Sequence, residues 1–280
     1  MSATCRDVTF AGLPATELQL PCGDHLVVAQ HGAHVLSWRA QGRERLYLSP
    51  RSAMDGQAAI RGGIPVCFPQ FNQRGTLPKH GFARNLPWAV HAPHLDSEQA
   101  HLAMSLNDSA ATRRWWDQAF EARLLIELTP GALQIELVVR NTDTQPLAFS
   151  GALHTYFAVS DVAQARLTGL GGRAEWDSVT DHHASGAPEL RFAGEFDRVY
   201  SAAPEGCVLH DGAQSLAIGQ DMDWTHTVVW NPGAEKCATL ADMPTDGWQH
   251  MLCVEAAQVY EPIHIEAGDF WQGAQRLRVL

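Results

Sequence analysis

Between residues 120 and 159 apolar side chains recur at every second position, and this alternation restricts the fold more than any other feature of the chain. In "FEARLLIELTPGALQIELVVRNTDTQPLAFSGALHTYFAV", Leu124, Ile126 and Leu128 alternate with polar or mixed neighbours. "TPGA" then turns the chain, and Leu133, Ile135, Leu137 and Val139 resume the period of two. Successive side chains of a strand point to opposite faces, so the pattern predicts a hairpin with one apolar face. "NTDTQP" predicts a further turn into the next strand. Shorter runs punctuated by Gly and Pro fill 17–49 and the C-terminal third. Helical turns are expected only in "SEQAHLAM" (97–104), "AATRRWWDQAF" (110–120) and "ADMPTDGWQ" (241–249). No linker, low-complexity tract or fixed-period repeat interrupts the chain. The expectation is an all-β fold, mostly antiparallel with few short helices, in one domain over residues 1–280.

Apolar residues make up 45% of the 280 positions and charged residues 18%, which is enough to fill a sizeable core. The formal charge of −11 argues against a nucleic-acid partner, because phosphate backbones select net-basic surfaces. Any positive site must therefore be local. No apolar run approaches the roughly 18–20 residues that span a bilayer, so no membrane partner is expected. The six cysteines include no C-x-x-C pair, and the N-terminus lacks a basic stretch followed by an apolar one. These features suit a cytoplasmic monomer with buried free thiols.

Against that background a few polar residues stand in unusually apolar company. "MLCVEAAQV" (251–259) holds Glu255 as its one charge, and a buried carboxylate without a partner has its pKa driven upward, as a general base working near neutrality requires. The competing reading is a glutamate paired with an arginine. "SGALHTYFAV" (150–159) places His154 on one face with Tyr156, either as a structural histidine or as an acid–base group. In "LPKHGFARNLPW" (77–88), an extended backbone would set His80, Phe82 and Arg84 on one face, with His80 and Arg84 roughly 13 Å apart. "IRGGIP" adds Arg61 before two glycines that bring backbone close to a neighbour. Two guanidinium forks among apolar residues suit an anion clamp, although either could staple a loop. Asp197 in "FDRVY" could accept bonds from sugar hydroxyls or simply cap a turn, and Trp230 in "VVWNPG" could stack on a sugar. "DHHASG" (181–186) tempts as a metal sequence, but adjacent histidines point apart on a strand, and no metal is expected. Neither a phosphate-cradling G-x-x-x-x-G-K-[ST] loop nor a G-x-S-x-G elbow occurs.

The segments "AIRGGIPVCFPQF", "LPKHGFARNLPW", "LHTYF", "FDRVY", "VVWNP" and "GDFWQGAQRL", in that order, resemble the aldose 1-epimerase (galactose mutarotase-like) superfamily. Within it the resemblance is to the glucose-6-phosphate 1-epimerases, or hexose-6-phosphate mutarotases. It implies a β-supersandwich, a cofactor-free site on the concave face, and interconversion of the α and β anomers of a small hexose 6-phosphate. It would make Glu255 the general base and His154 the general acid, with His80 at the ring and Asp197 on hydroxyls. Arg61 and Arg84 would hold the phosphate. The chain departs from the family at Lys79, where glutamine is common, and at "FPQFN", where "FPWFG"-like segments are usual. Gln70 and Asn72 therefore leave the sugar preference open, and Lys79 is either a further phosphate contact or a solvent-facing residue. An aldose 1-epimerase for free hexoses, a non-catalytic carbohydrate-binding sandwich and a metal-dependent β-barrel enzyme are the alternatives.

Overall fold

In a computed structural model that describes residues 2–280, the alternation at 120–159 forms the expected hairpin. Strand Phe120–Thr129 pairs antiparallel with Ala132–Asn141, setting Leu124 opposite Leu137, Ile126 opposite Ile135 and Leu128 opposite Leu133. Pro130 and Gly131 form the link, with Gly131 at φ +71°, a left-handed conformation that glycine adopts without steric cost. The hairpin lies in a ten-stranded sheet beside Phe270–Val279. An eight-stranded sheet is centred on Phe196–Ser201, His226–Asn231, Met251–Ile265 and Leu147–Leu153. Five N-terminal strands form a third sheet. The strand pairings within all three sheets are antiparallel.

The first nine residues of strand Met251–Ile265 read as mostly apolar because both faces of the strand are covered over 251–259. Leu252, Val254 and Ala256 enter the main core together with Leu124, Ile135 and Leu137 of the ten-stranded sheet. On the other face, Cys253 packs with Tyr156 and Met251, while Ala257 and Val259 pack with Val199 and Val228. Glu255 lies on this second face between them, because residues two apart on a strand share a side. A fully buried leucine or valine contributes about 1.5–3 kcal/mol relative to exposure. The double burial therefore holds this strand firmly and, with it, the carboxylate it carries.

Three local expectations change. Residues 97–104 are not helical. Ala100–Asn107 is a strand with Ala100, Leu102, Met104 and Leu106 inward, and Leu102 faces Ile126 across the ladder. Of 110–120 only Ala110–Arg113 is helical, started by a Ser109–Thr112 capping box, and of 241–249 only the last residues enter a short 3-10 turn, Gly247–His250. A helix that the periodicity did not reveal, Gly233–Cys237, follows Pro232. The six thiols are free, with Cys67, Cys207, Cys237 and Cys253 buried, Cys5 half-buried and Cys22 exposed, so burial is not general.

The "RGG" glycines do approach a neighbour closely. At Gly63, φ +62°, a Cβ would sit 2.2 Å from the Val35 carbonyl oxygen, and at Gly62, φ +112°, 2.4 Å from that of Tyr47. Gly63→Ala is expected to lower stability by roughly 2–3 kcal/mol or more, from backbone strain plus the clash, as read by a urea midpoint. A midpoint equal to wild type would show that the loop can move aside.

The same junction buries His34, whose Nε2 donates to the Gly62 carbonyl at 2.7 Å while its Nδ1 has no partner. Burial lowers this imidazole to about 4, with Arg84 adding a smaller push in the same direction. A histidine held neutral in the fold stabilises fully above its unfolded value near 6.5, and this contribution disappears as pH falls through the folded value. Between pH 6 and 4, wild type is expected to lose on the order of 1 kcal/mol per pH unit more than His34→Gln in urea titrations. Parallel pH dependences would remove this role.

Candidate active site

Register across the eight-stranded sheet sets the floor of a cavity of about 570 Å³, within the range of small-molecule sites. Trp176 pairs with Val199, and Val228 pairs with Val199 and with Glu255, so these four residues form one row. In the adjacent row Asp197 pairs with Trp230, Trp230 with Cys253, and Cys253 with Tyr156. Three strand spacings separate Trp176 from Glu255, about 14 Å, so the floor is wider than a single hexose.

His154 follows strand Leu147–Leu153, where the ladder breaks before Tyr156–Ala158. As expected, it shares a face with Tyr156: the two rings stack at 4.8 Å and 9°. Nδ1 of His154 lies 3.2 Å from Oε1 of Glu255, and the residues are 8% and 1% exposed, so both belong to the dry floor. The pair is close but not aligned as a hydrogen bond, since Nδ1 and the other carboxylate oxygen have no partner. Burial pushes the Glu255 carboxyl well above the usual range, Asp197 adds to this, and Lys79 opposes it. Burial also holds His154 well below the ordinary imidazole value, reinforced by Arg84 and Arg61. Burial thus disfavours the charged form of both members of the pair.

"KHGFAR" is not extended. His80 and Gly81 have φ of +65° and +70°, and Ala83–Asn85 is a 3-10 turn. The curl arises because the backbone N–H groups of Phe82 and Ala83 both donate to the Phe68 carbonyl. Gly81 lies so close to that carbonyl that a Cβ would be 2.1 Å from it. The result still brings His80 to the site, 5.3 Å from His154 ring to ring. The Asn72 N–H donates to Nδ1 of His80, which places the ring proton on Nε2. Burial and then His154 keep this ring neutral by lowering its pKa, so it offers the cavity one N–H donor.

Arg61 and Arg84 both line the cavity but stand in different surroundings. Arg61 already has an anion: Nε and Nη2 bond the two oxygens of Asp242 at 3.1 and 3.2 Å, and Nη1 donates to the Tyr156 hydroxyl. Its guanidinium also lies 6.0 Å from the Trp230 ring. Arg84 donates to the Lys79 carbonyl at 2.9 Å and has no carboxylate partner, while its buried Nε bonds nothing. Arg84, Lys79 and Lys236 line the same cavity as Arg61, together with Asp197. Lys79 is exposed overall, but partial desolvation beside the cavity lowers its ammonium, and Lys236, Arg61 and Arg84 lower it further. The cavity thus carries more cationic charge than its own anions match. Burial raises the Asp197 carboxyl, against the pull of Lys236 and Lys79.

Gln70 does not face this space. Its amide closes the 70–78 loop by donating to the Asn72 and Leu77 carbonyls and accepting from the Leu77 N–H, whereas Asn72 does line the cavity. Sequence reasoning missed Asp242, Lys236, Arg74 and Trp176. Arg74 lies 4.9 Å from the Trp176 ring and 5.4 Å from that of Tyr260, forming the far wall. The basic and aromatic characters of Arg74 and Trp176 were a signal, but nothing local tied them together.

The sequence profile of the family described as "Aldose 1-epimerase" matches residues 15–278. The chain is 38% identical over 261 residues to a Salmonella typhimurium protein, covering 88% of this chain and 85% of the relative. It is 36% identical over 276 residues to one from Escherichia coli, covering 94% and 91%. Both relatives bear the name "Putative glucose-6-phosphate 1-epimerase". The crystal structure of a "putative mutarotase (YeaD)" from Salmonella typhimurium aligns with a TM-score of 0.90 at 31% identity, covering 98% of this chain and 93% of that one. The chain belongs to the aldose 1-epimerase family and has the mutarotase β-sandwich fold. Among the described residues, no helix is long and apolar enough to cross a membrane.

Proposed function

We propose that this protein is an isomerase that interconverts the α and β anomers of a hexose 6-phosphate, glucose 6-phosphate foremost. The observation that carries this reading is a buried Glu255–His154 pair, 3.2 Å apart, in a cavity that also holds Arg84 and Lys79 without matching carboxylates. The names of the relatives point to the same substrate.

Mutarotation requires one proton to leave the C1 hydroxyl and one to reach the ring oxygen. Glu255 as carboxylate accepts the first and His154 as imidazolium delivers the second. The C1–O5 bond breaks, leaving an aldehyde at C1 and a hydroxyl at C5. Rotation about C1–C2 turns the other carbonyl face toward the C5 hydroxyl. His154 then takes the hydroxyl proton while Glu255 returns its proton to the carbonyl oxygen, closing the ring as the other anomer. Nε2–H of His80 donates to a sugar oxygen beside the reacting centre, and Asp197 accepts from hydroxyls. Residues of the chain carry every proton.

Burial disfavours the ionised form of both groups, so the working pair of carboxylate and imidazolium needs support from the substrate. Arg84 and Arg61 are the largest electrostatic influences holding His154 neutral. A phosphate dianion bound by Arg84 and Lys79 offsets these positive charges and raises the proton affinity of the imidazole. Substrate charge thus favours the ionised pair as well as orienting the ring.

Equilibration of freshly generated α-glucose 6-phosphate tests this reading against the carbohydrate-binding alternative. Catalytic amounts of protein are expected to accelerate equilibration in proportion to protein concentration. Sugar binding with no acceleration would assign a non-catalytic module.

A further inference from the structure

Cys253 has no part in the ring-opening chemistry, yet it adjoins both groups that perform it. It shares a strand face with Glu255 and pairs with Tyr156, whose ring stacks on His154. Nδ1 of His154, Sγ of Cys253 and a carboxylate oxygen of Glu255 lie within 4.8 Å of one another, and all three residues are buried. The 3.2 Å between Nδ1 and Oε1 matches the edge of a tetrahedron with metal–ligand bonds of about 2.0–2.1 Å. Nδ1 of His154 and Oε2 of Glu255 are buried without hydrogen-bond partners, so donor atoms are already free at this point.

We propose that these three side chains form an inhibitory site for a soft or borderline divalent cation of the zinc and cadmium class. One thiolate, one imidazole nitrogen and one carboxylate oxygen supply three ligands, and a water from the adjoining cavity completes four. Thiolate and carboxylate together balance the cation's two charges; the thiol proton and, where Glu255 is protonated, the carboxyl proton leave to solvent on binding. A sulfur–nitrogen–oxygen set selects zinc, cadmium or cobalt over magnesium and calcium, which favour oxygen alone. A bound cation occupies the atoms needed to move protons, so metal and turnover exclude each other. Only this last consequence rests on the proposed mutarotase reading. The binding itself does not.

Cobalt(II) is the probe, added to the full chain in a Cys22→Ser background because Cys22 is exposed. One equivalent is expected to give a thiolate-to-cobalt charge-transfer band in the near ultraviolet, displaced by zinc and absent from Cys253→Ala. Micromolar zinc is expected to stop anomer exchange, with recovery on chelation and no such effect from millimolar magnesium. Cys253→Ala is expected to need at least roughly tenfold more zinc to halve its own uninhibited rate, since losing a ligand costs at least as much as losing an outer-shell partner. Cys253→Ser gives a second comparison if the alanine variant does not fold. Absence of the cobalt–thiolate band from the protein with Cys253 intact overturns the site. Equal zinc sensitivity with and without Cys253 overturns the inhibition. The cobalt spectrum remains decisive even for a protein without measurable turnover.

Discussion

Glu255→Gln is expected to reduce kcat for anomer exchange by about two to four orders of magnitude, the span typical of a positioned acid–base group. The substitution keeps the shape of the side chain and removes its capacity to exchange a proton. Because the Glu255 carboxyl is pushed upward mainly by burial, the neutral amide fits the same dry environment without a new desolvation cost. Thermal stability should therefore equal or exceed that of wild type, and KM should change little. Single-turnover and steady-state rates, with circular dichroism as the check on fold, separate these effects. Wild-type kcat in a folded Glu255→Gln protein would end the assignment of Glu255 as the proton acceptor.

Arg84→Ala should produce the second large effect, and only with phosphorylated sugars. Loss of one charge-assisted contact to phosphate corresponds to about 1.5–3 kcal/mol, or roughly a 10- to 100-fold rise in KM for glucose 6-phosphate. For free glucose the same change should leave KM nearly untouched. Turnover of glucose should not fall, because removing Arg84 also removes a charge that holds His154 neutral. Arg61 is a poorer probe: it is already bound to Asp242 and Tyr156, so its loss would unsettle the floor of the site as well as the charge. Equal losses on both sugars for Arg84→Ala would mean that the residue supports the loop around Lys79 rather than the phosphate.

What the sequence disclosed depended on how locally each feature is determined. The hairpin at 120–141 was readable because a period of two and a Pro-Gly turn are properties of adjacent residues. Glu255 was readable because a lone carboxylate in a nine-residue stretch with no other charge has few explanations, and the shared face of His154 and Tyr156 follows from spacing alone. The curl of "KHGFAR" was not readable, since it is imposed by the Phe68 carbonyl, a dozen residues earlier and on another segment. The Arg61–Asp242 pair was hidden for a similar reason: its partners are 181 positions apart. The opening "SEQAHLAM" misled because its apolar residues form the inward face of a strand whose partner, Phe120–Thr129, lies well downstream. Gln70 looked like a specificity residue because it adjoins the site in sequence, yet its amide is consumed in closing its own loop.

Two-dimensional exchange NMR on one sample containing both glucose and glucose 6-phosphate tests the central claim most directly. Each sugar reports its own anomer exchange at the same protein concentration. Strong cross-peaks between the anomers of the phosphate ester, with those of glucose near the uncatalysed level, are the predicted result. Equal acceleration of both sugars, or none for the ester, would contradict it.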